Sequence, residues 1–142
     1  MGYCSMDENT RRSLITYRLE KAHTDLSAAK MNFEAGFYET SANRSYYAIF
    51  HAARAVLMLN GQDYKKHSGV IAFFNRDFIK TGILERELGM ILRDAFEIRT
   101  DCDYEDFYVV AKEDVERQIQ NAEYFISKIE AYLQTVCPNP TE

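Results

Sequence analysis

The sequence predicts an all-α chain, an antiparallel up-and-down helical bundle of four long helices plus one short helix. Three observations carry this. Apolar residues recur at alternating steps of four and three in three separate segments, as on a helix with one buried face. The segment Tyr46 to Leu59 is apolar on every side except at His51 and Arg54, which marks a helix at the centre of a core. No stretch alternates apolar and polar residues as a strand would.

The elements follow in order. Ile15, Leu19, Ala22, Leu26, Ala29 and Phe33 predict a first helix from about Asn9 to Ala35, broken at Gly36. The central helix is expected from Thr40 or Ser41 to Leu59, stopped by Asn60-Gly61. At fourteen residues, its apolar part is shorter than the roughly 20 that span a bilayer, so it is a core helix. After a polar link, Ser68 is the expected N-cap of a short helix lined by Ile71, Phe74 and Phe78. Beyond Thr81-Gly82, Leu84, Leu88, Ile91, Ala95 and Ile98 give a fourth helix, and the acidic, aromatic run Asp101 to Tyr108 is expected to be a loop or a frayed helix end. Val115, Ile119, Ala122, Ile126, Ile129, Leu133 and Val136 form the last helix, which ends before Pro138 and Pro140. The domain expectation is a flexible 1–8, one helical domain over 9–136 and a disordered tail over 137–142.

Composition narrows the function classes. With 46% hydrophobic and 27% charged residues, the chain reads as an ordinary soluble domain. A net charge of −5 and a pI near 5.3 argue against general DNA binding held by phosphate electrostatics. Ten Tyr, nine Phe and no Trp supply amphipathic rings suited to an interface. Three cysteines without a C-x-x-C pair, and no signal peptide, are expected of a reduced cytoplasmic protein; Met1 or Met6 is the start. There is no glycine-rich phosphate loop, no nucleophile elbow and no zinc spacing among His23, His51 and His67, so no cofactor or metal is expected.

Polar residues on apolar faces then draw attention. Arg44, Tyr47 and His51 share one face of the central helix, with Arg44 and His51 about 10 Å apart along the axis. They are placed to share a phosphate. The structural alternative pairs Arg44 with an acidic residue of Asp101–Asp106 and lets His51 donate to a backbone carbonyl. Arg99 continues the Leu92, Ala95 and Phe96 face, as a site residue or as a cation at a helix C-terminus. His67, Asp103 and Tyr104 complete the ligand-binding candidates. Tyr104 and Tyr108 are either exposed recognition groups or packed under the loop.

These residues also form a familiar series. Asn43-Arg44-Ser45-Tyr46-Tyr47-Ala48-Ile49-Phe50-His51-Ala52-Ala53, Lys66-His67-Ser68-Gly69-Val70-Ile71, Phe78-Ile79-Lys80-Thr81-Gly82-Ile83-Leu84, and Arg99 with Asp103-Tyr104-Glu105-Asp106-Phe107 closely resemble the HEPN family (higher eukaryotes and prokaryotes nucleotide-binding domain). The likeness is to its short stand-alone prokaryotic branch and spans about Ile15 to Leu133. It implies a bundle that forms homodimers and partners a minimal nucleotidyltransferase in a toxin–antitoxin-like pair, with a nucleotide or RNA as ligand. Several branches are metal-independent ribonucleases with an R-x4–6-H motif, in which Arg holds phosphate and His is the general acid–base. Here the motif's Arg falls on Arg99, and Tyr104 stands where R-x4-H needs His. A phenol with a pKa of about 10 is a poor base at neutral pH. The resemblance also makes Tyr104 or Tyr108 a candidate for modification by the nucleotidyltransferase. The expectation is therefore a nucleotide- or RNA-associated binding protein. The alternatives are a ribonuclease using Arg44 and His51, or Arg99 with another partner, and a purely structural dimeric adaptor.

Overall fold

The computed structural model describes residues 7–104 and 109–138. It contains five α-helices: α1 (Glu8–Glu34), α2 (Tyr38–Leu57), α3 (His67–Phe74), α4 (Arg86–Tyr104) and α5 (Lys112–Val136). There is no strand among the described residues. Four helices are long and α3 is short, as the periodicity predicts.

The boundaries have local causes. Asp7 caps α1, its carboxylate accepting from the Thr10 amide at 2.7 Å. Gly36, at φ 88°, turns the chain into α2 through a left-handed conformation that residues with a Cβ rarely adopt. The second helix starts at Tyr38, earlier than expected, because Ser41 is no cap. Its buried hydroxyl instead donates to the Ala29 carbonyl at 2.7 Å and ties α2 to α1. At the far end the helix tightens into a 3-10 turn, Met58–Asn60, and closes on Gly61 at φ 70°.

Ser68 does not cap α3 either. Lys66 precedes the helix and His67 is its first residue. The short helix continues into a π-helical turn, Asn75–Ile79, which keeps Phe74 and Phe78 directed into the core. Asp101 to Tyr104 form the last turn of α4, the helix end of the two expected alternatives, since Thr100 donates back to the Phe96 carbonyl and Arg99 pairs with Asp103 four residues on. The rest of that expected loop, including Tyr108, lies outside the described residues.

The core sits around α2, which packs against α1, α3, α4 and α5. Tyr46, Ile49, Val56, Leu57 and Met58 are completely buried, and Leu88, Leu92, Phe125, Ile126 and Ile129 meet them from α4 and α5. One buried polar bridge crosses this core. The Gln118 amide of α5 donates to the Ala42 carbonyl at 2.9 Å and to the Ser45 hydroxyl at 2.6 Å, so the polar groups it buries are satisfied.

Burial of this kind is sensitive to lost volume. Leu92→Ala should lower unfolding free energy by about 2–5 kcal/mol, read from urea denaturation. A loss below 1 kcal/mol, on the order of a surface substitution, would contradict the placement of α4 against α2.

Candidate functional site

The polar stripe of α2 opens on a half-buried cluster where α2, α3 and α4 meet. Its hub is the Tyr47 ring. The Arg44 guanidinium carbon lies 5.2 Å from the ring centroid and that of Arg99 lies 5.6 Å away, both within cation–π range. The His51 and His67 rings stand 5.9 and 5.8 Å from the same centroid. Helical spacing alone brings Arg44 and His51 to Tyr47. The fold brings Arg99 from α4 and His67 from the start of α3.

Each member is held differently. His67 stacks on Phe50 at 4.3 Å between centroids, and its Nδ1 is 2.5 Å from the Tyr46 hydroxyl. Burial lowers the pKa of His67, and the Arg99 and Arg54 charges lower it further, so the ring is neutral at neutral pH. Burial pushes the Tyr46 phenol well above its ordinary range and keeps it protonated. Arg99 lies 5.7 Å from the Tyr46 ring as well, with its Nε 3.1 Å from the Asp103 carboxylate but without hydrogen-bond alignment. Arg99 and Asp103 also border a cavity of about 230 Å³ shared with Glu39, Thr40, Asn43 and Cys102. Tyr104, at the end of α4, is 76% exposed, so it is not packed beneath a loop.

The partners of Arg44 and His51 differ from expectation. Arg44 pairs with Asp25 of α1 at 3.0 Å, and not with the described residues Asp101–Tyr104, because α1 is the neighbour that covers this face. His51 also faces Asp25, with Nε2 3.5 Å from its second oxygen, and donates to no backbone carbonyl. A carboxylate thus occupies the space between Arg44 and His51 that a shared phosphate would need. Burial comes first in lowering the His51 pKa to about 4, followed by the charges of Lys21, Arg54, Arg18 and Arg44. Burial raises the Asp25 pKa, against the pull of Arg44 and Lys21.

Beside this lies an ion network that the sequence did not single out. Asp63, in the link between α2 and α3, accepts from Arg54 of α2 at 2.5 Å and from Arg18 of α1 at 3.1 Å. The Arg18 side chain is only 8% exposed. Asp25 and Arg18 were discoverable as charged residues one heptad apart, bordering the apolar stripe of the first helix. Asp63, in an irregular link, gave no such signal.

Among the described residues, no group of three or more His, Cys, Asp or Glu is arranged to hold a metal, and no helix is long and apolar enough to cross a membrane. Another groove, about 740 Å³, lies elsewhere between α1 and α5, and the acidic Glu20 and Glu130 on its wall suit a phosphate poorly.

Comparison with known proteins places this arrangement in context. The HEPN domain family matches residues 15–132. The chain belongs to the HEPN family. A UPF0332 protein of Thermotoga maritima is 36% identical to this HEPN chain over 126 residues, covering 89% of the chain and 96% of that protein. Two proteins of Methanocaldococcus jannaschii are similar too. One, named "Putative toxin MJ0605", is 36% identical over 88% of the chain and 92% of its own length. The other, named "Putative toxin MJ0142", is 33% identical over 81% of the chain and 78% of its own length.

Two predictions follow from the charges. Asp63→Ala leaves the buried Arg18 guanidinium without its partner and should cost about 1.5–3 kcal/mol in urea denaturation. Arg44→Ala should cost about 1 kcal/mol or less, because Arg44 is 37% exposed and its pair with Asp25 is solvent-screened. The pH dependence has a definite sign. His51 titrates in the folded chain at about 4, below its ordinary 6.5, so the unfolded chain takes up this proton first as pH falls. The contribution of the neutral ring to stability is complete above about 6.5 and is lost as pH falls toward 4. Asp25, with its raised pKa, takes up its proton first in the folded state and opposes this loss at the acid end. Chemical denaturation of a His51→Gln variant across that window should give a flatter profile than wild type.

Proposed function

We propose that this HEPN chain binds the phosphate of a nucleotide or RNA, and acts as the toxin-type member of a toxin–antitoxin-like pair with a minimal nucleotidyltransferase. The observation that carries the reading is the Arg99 guanidinium and the neutral His67 imidazole, brought to the Tyr47 ring from α4 and α3, on the side away from the Asp25 carboxylate that takes up Arg44 and His51. Arginine and imidazole N–H groups beside an aromatic face suit a phosphate and a stacked base. With a net charge of −5, such a local site reads one or two phosphates and does not coat a nucleic acid. The names of the Methanocaldococcus relatives support the toxin-type part. The same reading takes the chain as a homodimer, since its tyrosine-rich composition suits an interface.

A second reading, metal-independent ribonuclease, is favoured by one observation. Arg99 and His67 approach the same two tyrosine rings, which makes an Arg/His pair in space where the linear R-x4-H motif is broken. The nucleotidyltransferase part draws its support from Tyr104, an exposed hydroxyl beside the Arg99–Asp103 pair.

Fluorescence anisotropy with a labelled single-stranded RNA, titrated against salt, tests the binding. Arg99→Ala should weaken it and make the slope of log K against log salt shallower by about 0.7, the value of one single-strand phosphate contact. Equal affinities and slopes for wild type and variant would refute a role for Arg99. Incubation with the nucleotidyltransferase and ATP, followed by intact mass measurement, should show a nucleotide adduct that is absent from Tyr104→Phe,Tyr108→Phe.

A further inference from the structure

The hydroxyl of Tyr46 decides what His67 does. Tyr46 is completely buried, and its one polar partner among the described residues is Nδ1 of His67, at 2.5 Å. A buried O–H that lost this acceptor would stand unsatisfied, so the hydroxyl donates and Nδ1 accepts. In a neutral imidazole that puts the ring hydrogen on Nε2. The ring is gripped in one orientation by Phe50, which stacks on it with planes only 17° apart. His67 itself is half-buried, and its Nε2 has no partner among the described residues. The Arg99 guanidinium reaches the same Tyr46 and Tyr47 rings.

We infer that Tyr46 is a positioning residue that holds His67 as a fixed Nε2–H donor, and that this donor and the Arg99 guanidinium form a phosphate-binding pair, not an acid–base pair. The inference rests on the phosphate-binding reading above and gives it a specific geometry. A general base that takes the proton of a ribose 2′-hydroxyl needs a free lone pair on the outward nitrogen. In His67 the outward nitrogen carries the hydrogen. Moving that hydrogen to Nδ1 would leave the Tyr46 hydroxyl buried with nothing to donate to. Adding a second proton meets the same obstacle together with the Arg99 and Arg54 charges, the cause of the lowered His67 pKa. His67 and Arg99 therefore offer phosphate oxygens donors only, of the kind that a nucleotide monoester or an RNA backbone accepts.

The test reads the ring directly. In the full chain labelled with 15N at histidine, long-range correlation spectra at neutral pH should show His67 as the pure Nε2–H tautomer. The Tyr46→Phe variant, which keeps the ring volume, should show a mixture of tautomers and a higher His67 pKa. Adenosine 5′-monophosphate should shift Nε2 much more than Nδ1. His67→Ala should weaken binding of this nucleotide about tenfold, the loss of one hydrogen bond to a charged group, and His67→Gln, whose amide again offers a donor, should restore part of it. An Nδ1–H tautomer in wild type would overturn the inference. So would binding that persists unchanged in His67→Ala while the His67 resonances stay still, a result that leaves phosphate binding elsewhere on the protein intact. RNA cleavage abolished by His67→Gln with RNA affinity preserved would make His67 a proton acceptor and also overturn it. If neither the nucleotide nor a single-stranded RNA binds wild type, the phosphate-binding reading falls and this inference falls with it.

Discussion

The structure depends on one constraint: α2 is enclosed by the other helices, so its few polar side chains have to be satisfied by neighbours. Apolar burial along Tyr46, Ile49, Val56 and Leu57 is the largest favourable contribution to the fold, and it fixes the rotation of α2 about its own axis. That rotation sets where every polar group of the helix goes. Ser41 meets the Ala29 carbonyl, Ser45 meets Gln118, Arg44 meets Asp25, Arg54 meets Asp63, and the Tyr46 hydroxyl meets His67. Together these contacts join α2 to α1, to the link before α3, to α3 and to α5. The polar residues of the central helix therefore act as registration points for the bundle, and the candidate site is the part of that pattern left open to solvent.

Charge is distributed unevenly over this pattern. On the α1 side, Asp25 pairs with Arg44, and Asp63 is shared by Arg54 and Arg18. On the α4 side, the one carboxylate contact of Arg99 among the described residues is the looser, unaligned one to Asp103, and its guanidinium carbon lies 5.7 and 5.6 Å from the centroids of two tyrosine rings. Guanidinium stacked on an aromatic keeps its edge free for a second partner. The two arginines around Tyr47 are thus unequal: Arg44 is bound to a carboxylate within the fold, whereas Arg99 retains donors for a ligand. His51 and His67 divide in the same way, the first turned inward to Asp25 and the second held at the opening.

Much of this was readable from the sequence, for a physical reason. Spacing at four and three reports burial directly, so the five helices, the central position of Tyr46–Leu59 and the common face of Arg44, Tyr47 and His51 all follow from it. Helix ends were less legible. Ser41 and Ser68 both look like caps, yet one hydroxyl is claimed by α1 and the other lies within its helix, since capping competes with tertiary bonds that leave no local mark. Pairing was the least legible of all. Asp63 is unremarkable in a chain with 22 acidic residues, and the meeting of His67 with Tyr46 across 21 positions is set by how α3 packs. The broken linear motif at Tyr104 hid a spatial relation between Arg99 and His67 that only the packing of α3 and α4 on α2 produces.

Asp63 has a consequence for the organisation of the opening. The chain leaves α2 at Gly61 and does not become helical again until His67, a stretch with few backbone bonds of its own. By fastening Asp63 to both α1 and α2, the two arginines divide this stretch and leave only Tyr64, Lys65 and Lys66 between an anchored point and the imidazole. A short tether samples far less space than a long one, so the ordering of the ring is largely complete before any ligand arrives. The same carboxylate that holds the buried Arg18 in place thus sets how little freedom the opening has left to lose.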